Sequence, residues 1–166
     1  MRSSPSWWAG RVRQFRAHLR ASVAPGERSA LEPWLSTTQL ALFDGMHVAD
    51  RRHGLDVVAS LRAEGVTEPD LLIAGLLHDA GKGQTGVWPR VAYVLGQRYG
   101  SWIWRVSAVL PGLRPALGQL HTHAETSAAL AAGAGCSPRT VDLILHQDAP
   151  TDPDFGELLR LADEAN

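Results

Sequence analysis

The sequence predicts an all-α fold, built as a single compact domain of about seven helices. Apolar residues recur at helical spacing along nearly the whole chain, and the two-residue alternation of a half-buried strand is absent. Prolines, glycines and helix-capping residues divide this pattern into short helices with short connections. With 166 residues, the chain has the length of one domain and is long enough to bury a core.

Residues 1–35 are predicted to form a basic extension that packs on the core of a helical domain spanning residues 36–166. The first thirty residues contain six arginines and one acid, Glu27. The segment from Gly10 to Ala21 has the pattern of a basic amphipathic helix. We expect it to dock on the core, with contact to a membrane surface or a nucleic acid as the less favoured alternative.

The domain is predicted to begin with three helices whose ends are marked by caps. Ser36-Thr37-Thr38-Gln39 has the spacing of a capping box and starts the first helix. Asp50 is predicted to cap the second helix, which ends at Gly65. Pro69 stands in the first turn of the third helix, a strongly apolar one over residues 70–80.

The helical pattern continues after a glycine-rich turn. Thr122-His123-Ala124-Glu125 is predicted to form a second capping box, and Ser137-Pro138 is predicted to start another helix. The further predicted helices are residues 89–99, 102–110, 123–132, 138–147 and 155–165.

Composition excludes several classes of protein. The net charge of −1 and the hydrophobic content of 45% are those of a globular chain, not of a disordered or collagen-like one. The single cysteine, Cys136, cannot form an internal disulfide, which favours a reducing compartment. No apolar stretch is long enough to span a membrane. The sequence therefore predicts a cytoplasmic protein.

The charge is distributed unevenly along the chain. Residues 80–124 contain no acid, yet they contain Lys82, the only lysine, and four arginines. Such a stretch is either a solvated helical face or a surface that meets an anion, and both interpretations stay open. No specific nucleic-acid motif accompanies it.

Histidines and aspartates in apolar helical segments predict a metal site. Asp79 and Asp163 stand next to leucines and alanines, where burial of a carboxylate is costly unless a cation or hydrogen bonds compensate. Imidazole and carboxylate ligands together suit Zn, Fe, Mn, Co or Ni rather than Ca. The sequence therefore predicts one or two divalent transition metal ions. The candidate ligands are His53, His78, Asp79, His121, His123, His146 and Asp163.

These residues lie in the segments DRRHGLDVVASL, LLIAGLLHDAGKG and LLRLADEAN. The segments resemble those of the HD-domain superfamily of metal-dependent phosphohydrolases, and the resemblance covers the chain from about Gln39 to its end. It implies an all-α fold of the HD type. It also implies that His53, His78, Asp79 and Asp163 form a set of four metal ligands.

Part of that superfamily binds two metal ions through two further histidines. HAETSAALAAGAG and LILHQDAP look like the segments that supply them. The likeness implies that His123 and His146 are the extra ligands and that Asp79 bridges the two ions. His121 is the alternative to His123, which the capping box favours. One ion or two stays open, because alanine and glutamine follow these histidines in place of the usual proline and histidine.

The resemblance implies hydrolysis of a small anionic phosphoester, such as a nucleotide. Asp79 and Lys82 are the predicted catalytic residues. Lys82, Arg90 and Arg52 are predicted to contact the substrate phosphate, because ammonium and guanidinium groups donate charge-assisted hydrogen bonds to phosphate oxygens.

Two alternatives stay open at the level of sequence. Some relatives with the same ligands are di-iron oxygenases, which iron content and oxygen consumption would distinguish. A non-catalytic module is the other alternative, with a metal that stabilises the fold and a basic aromatic segment that binds a partner or a membrane surface. A homo-oligomer also stays open.

Overall fold

The computed structural model describes residues 21–83, 118 and 122–166. These residues form seven α-helices and one short 3₁₀ helix, and no strand occurs among them. The all-α prediction is therefore confirmed for the described part of the chain. The helices are α1 (Pro25–Ser29), α2 (Thr37–Gly45), α3 (Val48–Ala63), α4 (Pro69–Leu77), the 3₁₀ helix (Ala80–Lys82), α5 (His123–Gly133), α6 (Pro138–Leu145) and α7 (Gly156–Ala165).

Several predictions fall outside the described residues. These are the first twenty residues of the basic extension, the predicted helices over residues 89–99 and 102–110, and the side chains of Arg90 and His121. The end of the extension is described, and there Leu31 and Leu35 are buried in the core.

Two of the predicted caps are confirmed. The Ser36 hydroxyl accepts a hydrogen bond from the Gln39 amide at 3.2 Å, and the Gln39 side chain accepts one from the Ser36 amide at 2.9 Å. The Ser137 hydroxyl accepts from the Thr140 amide at 3.0 Å, directly before Pro138. Both caps satisfy amides that have no partner within their own helix.

Two other caps were predicted wrongly. The cap of helix α3 is His47, three residues before the predicted cap, and its Nδ1 accepts a hydrogen bond from the Ala49 amide at 3.2 Å. Asp50 is instead buried in the first turn, where a carboxylate is favoured by the helix dipole. Thr122 precedes α5 without a side-chain capping bond, so the second capping box does not form.

The apolar helix α4 is the centre of the core. All of its residues from Leu71 to Leu77 are buried, and it packs against α2, α3, α6 and α7. It ends at Leu77, three residues earlier than predicted, and the chain then tightens into the 3₁₀ helix. The physical reason is at Gly81, where a β-carbon would collide with the His123 carbonyl and lie 2.6 Å from the Ser127 amide nitrogen. The turn therefore packs directly on the backbone of α5.

Within the described ranges, no helix combines the length and the apolar character that a membrane span requires.

Candidate metal centre

Three helices bring the candidate ligands together. His53 lies on α3, His78 is the C-cap of α4, and Asp163 lies near the end of α7. Helices α3 and α4 cross closely because Gly54 has no side chain; a β-carbon there would collide with the Leu76 carbonyl oxygen. The rings of His53 and His78 consequently meet edge to face, with centroids 5.2 Å apart.

The side chain of Asp163 joins the two imidazoles. Its Oδ1 lies 2.7 Å from Nε2 of His53 and 3.3 Å from Nε2 of His78. One ligand atom from each of the three residues lies within 4.8 Å of the other two. With metal–ligand bonds of about 2.0–2.2 Å, ligands at neighbouring corners of a coordination shell stand roughly 3 Å apart. The three side chains therefore lie close enough together to converge on one metal ion after a small adjustment.

The His78 ring is oriented by the backbone. Its Nδ1 donates a hydrogen bond to the Gly75 carbonyl at 3.0 Å, since a carbonyl oxygen can only accept. In a neutral ring this leaves the lone pair on Nε2, which is buried and makes no hydrogen bond. Metal-bound histidines typically donate their second ring nitrogen in this way. The arrangement therefore fits a metal ligand.

Asp79 supplies a second buried atom without a hydrogen-bond partner. Its Oδ1 lies 3.5 Å from Nε2 of His78 and makes no hydrogen bond, while its Oδ2 accepts one from Nζ of Lys82 at 2.6 Å. At 3.5 Å the two atoms form an ion pair when His78 is protonated. A bound cation would satisfy both atoms in place of that proton, since nitrogen and carboxylate oxygen are both ligands of transition metals.

The electrostatics of the cluster also favour a cation. Burial acts to raise the pKa of Asp163, but the hydrogen bond from His53 and the charge of the nearby His78 outweigh it and hold that pKa well below its usual range. Burial likewise acts to raise the pKa of Asp79, and the charges of His78 and Lys82 lower it overall. Both carboxyl groups are therefore ionised at neutral pH.

His78 responds to the same charges in the opposite direction. Burial acts to lower its pKa, but the carboxylates of Asp79 and Asp163 outweigh this and raise the pKa of His78 to about 9. Without a metal, the ring thus carries a proton at neutral pH. A metal ion would have to displace that proton.

The two further candidate ligands are described but do not belong to this cluster of three. His123 is the first residue of α5, against which the Gly81 turn packs. His146 is the C-cap of α6, and its Nδ1 donates to the Asp142 carbonyl at 3.1 Å. Their role as ligands of a second metal ion stays a prediction.

The two arginines before His53 differ in their contacts. Arg52 donates to Glu27 at 2.6 Å and to Asp56 at 3.1 Å, so its guanidinium is already paired with carboxylates. Its predicted contact with substrate stays a prediction. Arg51, which sequence reasoning did not single out, has a buried Nε that makes no hydrogen bond. The sequence alone does not show that Arg51 and Arg52 differ in this way, because the orientation of α3 decides which of the two contacts a carboxylate.

No protein-family model, no curated protein and no solved structure matches the chain. The likeness to the HD-domain superfamily is therefore a resemblance of motifs. The interpretation of the centre depends on the geometry of the chain's own residues.

Proposed function

We propose that the chain is a metal-dependent phosphohydrolase of the HD type that acts on a small phosphoester. The observation that carries the proposal is the convergence of His53, His78 and Asp163 on one point. Nε2 of His78 and Oδ1 of Asp79 are buried and make no hydrogen bond, and a cation between them would satisfy both atoms. The motif resemblance supplies the class of reaction.

Each side chain has a distinct role in this proposal. His53, His78, Asp79 and Asp163 hold a divalent transition metal ion, and two ionised carboxylates offset its charge. Such an ion, when bound, lowers the pKa of a water molecule and so supplies a nucleophile at neutral pH. Lys82 holds Asp79 in place and brings a positive charge to the rim of the centre, where it favours approach of a phosphate group.

The proposal is tested first by hydrolysis assays on the full chain. The protein is purified without chelator, its metal content is measured, and phosphoester turnover is assayed with added Mn²⁺, Fe²⁺, Co²⁺, Ni²⁺ or Zn²⁺. The substrates are p-nitrophenyl phosphate and a panel of nucleotides. Turnover that depends on one of these ions is the expected result.

The matched variants are two neighbouring acids on α7. Asp163→Asn removes a ligand and is expected to reduce turnover about 100-fold or more, because even outer contacts of metal ligands are worth 10–100-fold. Glu164→Gln is the control, since Glu164 is exposed and, among the described residues, pairs with Arg160 on the same helix. Equal turnover by the two variants would exclude Asp163 from the reaction.

Two other outcomes would replace the proposal. Bound iron with oxygen consumption and no phosphoester hydrolysis would favour the oxygenase. Bound metal that raises the melting temperature, without phosphoester hydrolysis or oxygen consumption, would favour the non-catalytic module. Absence of bound metal, with no change of melting temperature when the ions are added, would refute the proposal.

A further inference from the structure

We infer that the side-chain amide of Gln147 donates a hydrogen bond to an oxyanion, such as a phosphate group, bound beside the candidate metal centre. The inference rests on the proposed function and deepens it, because it assigns a contact with the substrate. Gln147 is only 7% exposed, yet its Nε2 makes no hydrogen bond in the described part of the chain. A buried donor without an acceptor is destabilising and rare, so this one indicates a partner from outside the chain.

The buried face of α6 directs Gln147 towards α4. Thr140, Ile144 and Gln147 follow one another at helical spacing, and all three are buried. The Thr140 hydroxyl donates a hydrogen bond to the Asp70 carboxylate on α4 at 3.0 Å. Because Gln147 continues the same face just after the end of α6, its side chain also faces α4.

The two helices also fix the position of Gln147 along the bundle. They run in the same direction, because Thr140 near the start of α6 contacts Asp70 near the start of α4, and the helices pack against each other. Gln147 lies seven residues, or about 10 Å, beyond Thr140. His78 lies eight residues, or about 12 Å, beyond Asp70. Gln147 therefore lies at the end of the bundle that carries His78 and Asp79.

The unpaired atoms at this end differ in what would satisfy them. Nε2 of His78 and Oδ1 of Asp79 are groups that ligate a cation. Nε2 of Gln147 is an N–H donor and needs an acceptor, which a cation cannot be. A phosphate oxygen is such an acceptor, and its negative charge is attracted by the same cation. The three atoms together therefore fit a cation that carries an oxyanion.

The test is the affinity of the full chain for inorganic phosphate in the presence of Mn²⁺, measured by isothermal titration calorimetry. Gln147→Leu removes the donor and keeps a side chain of similar size. It is expected to weaken phosphate binding about tenfold or more, because a hydrogen bond to a charged group is lost. Its Mn²⁺ affinity should not change. Its melting temperature without ligands should stay the same or rise, since the unpaired buried donor is gone.

Gln39→Leu is the matched control. Gln39 is 8% exposed, but both ends of its amide are paired, with the Ser36 amide at 2.9 Å and with Sγ of Cys136 at 3.5 Å. Its replacement should lower the melting temperature by about 2–8 °C. Phosphate binding should not change.

The results separate the inference from the proposed function. No Mn²⁺ binding by wild type would refute both. Mn²⁺ binding without phosphate binding, or equal phosphate affinity in wild type and Gln147→Leu, would overturn the inference alone. A fall in Mn²⁺ affinity in Gln147→Leu would identify the amide oxygen as a metal ligand instead.

The melting temperatures decide whether Gln147 has a structural role. A loss in Gln147→Leu as large as that in Gln39→Leu would overturn the inference, because a glutamine that only supports the fold loses stability when it is replaced. Gln147→Met, with an unbranched side chain, repeats the measurements if the branched leucine prevents folding.

Discussion

At the scale of single residues, Gly54 sets the distance between two of the candidate ligands. A β-carbon at this position would collide with the Leu76 carbonyl, which is backbone and cannot rotate away. Gly54→Ala should therefore push α3 from α4 and separate His53 from His78. We expect a loss of about 1–3 kcal/mol in the free energy of unfolding and a fall in Mn²⁺ affinity of about tenfold or more.

Gly133→Ala is the control for this substitution, with urea unfolding and Mn²⁺ titration as the measurements. Gly133 ends α5, and a β-carbon there would meet nothing within 4 Å. Alanine at this position should leave metal affinity unchanged and raise stability by up to about 1 kcal/mol. If the two variants behaved alike, the close approach of α3 and α4 would not govern the centre.

Residues also differ in how well their roles could be predicted from sequence. The Ser36 capping box depends on four consecutive residues, and its geometry follows from their spacing alone. The pairing of Lys82 with Asp79 was not predicted, although a spacing of three residues places an acid and a base side by side on a helical turn. The motif spacing predicted four ligands, and folding brings three of them into one cluster with Asp79 beside it.

At the scale of helices and connections, the start of α7 is fixed to α6 by Arg139. Its guanidinium donates to both carboxylate oxygens of Asp152, at 2.7 and 3.1 Å, and lies 4.3 Å from the centre of the Phe155 ring. Asp152 in turn accepts hydrogen bonds from the amides of Asp154 and Phe155, at 2.9 Å each. Asp163 lies on this helix, so the connection helps to hold a candidate ligand.

The connection predicts a pH-dependent contribution to stability. The hydrogen bond from Arg139 holds the pKa of Asp152 well below its usual range. A lowered pKa in the folded state stabilises the protein above the unfolded value, about 3.9, and the benefit disappears as the pH falls towards the folded value. Asp152→Asn should therefore lower the free energy of unfolding by about 1–2 kcal/mol at pH 7. The difference in this free energy between the variant and wild type should become smaller below about pH 4.

Urea unfolding at pH 7, 5 and 3 measures this difference. Asp154→Asn is the control, because Asp154 is mostly exposed and bonds Arg139 through one oxygen at 2.9 Å. Asp154→Asn should lower the free energy of unfolding less than Asp152→Asn does at pH 7 and pH 5. If the difference in the free energy of unfolding between wild type and Asp152→Asn stayed constant down to pH 3, the ion pair between Arg139 and Asp152 would not be its cause.

The elements themselves were predicted with uneven success. Helices α2 and α6 begin where their serines and Pro138 indicate, because capping is a local property of the chain. The end of α4 was misplaced by three residues, and the residues after it form a 3₁₀ turn whose Gly81 lies against the backbone of α5. Tertiary contact of this kind has no counterpart in local sequence.

At the scale of the whole molecule, the centre connects α3, α4 and α7 through the side chains of His53, His78 and Asp163. A metal ion that binds the folded chain and not the unfolded one stabilises it by about 2.7 kcal/mol at 100 times its dissociation constant. For a chain of this size that corresponds to a rise in melting temperature of about 5–10 °C. Scanning calorimetry with Mn²⁺ should show the rise in wild type and lose it in Asp163→Asn. An equal rise in both chains would place the bound ion elsewhere.

The contact between His53 and Asp163 spans 110 positions of the chain. Closing so long a loop carries an entropic cost that local helix formation does not, so this contact is expected to form late in folding. Interactions that are absent from the folding transition state slow unfolding and leave the folding rate nearly unchanged. An ion at the centre would accordingly slow unfolding and prolong the lifetime of the native state, while the rate of folding would stay nearly the same.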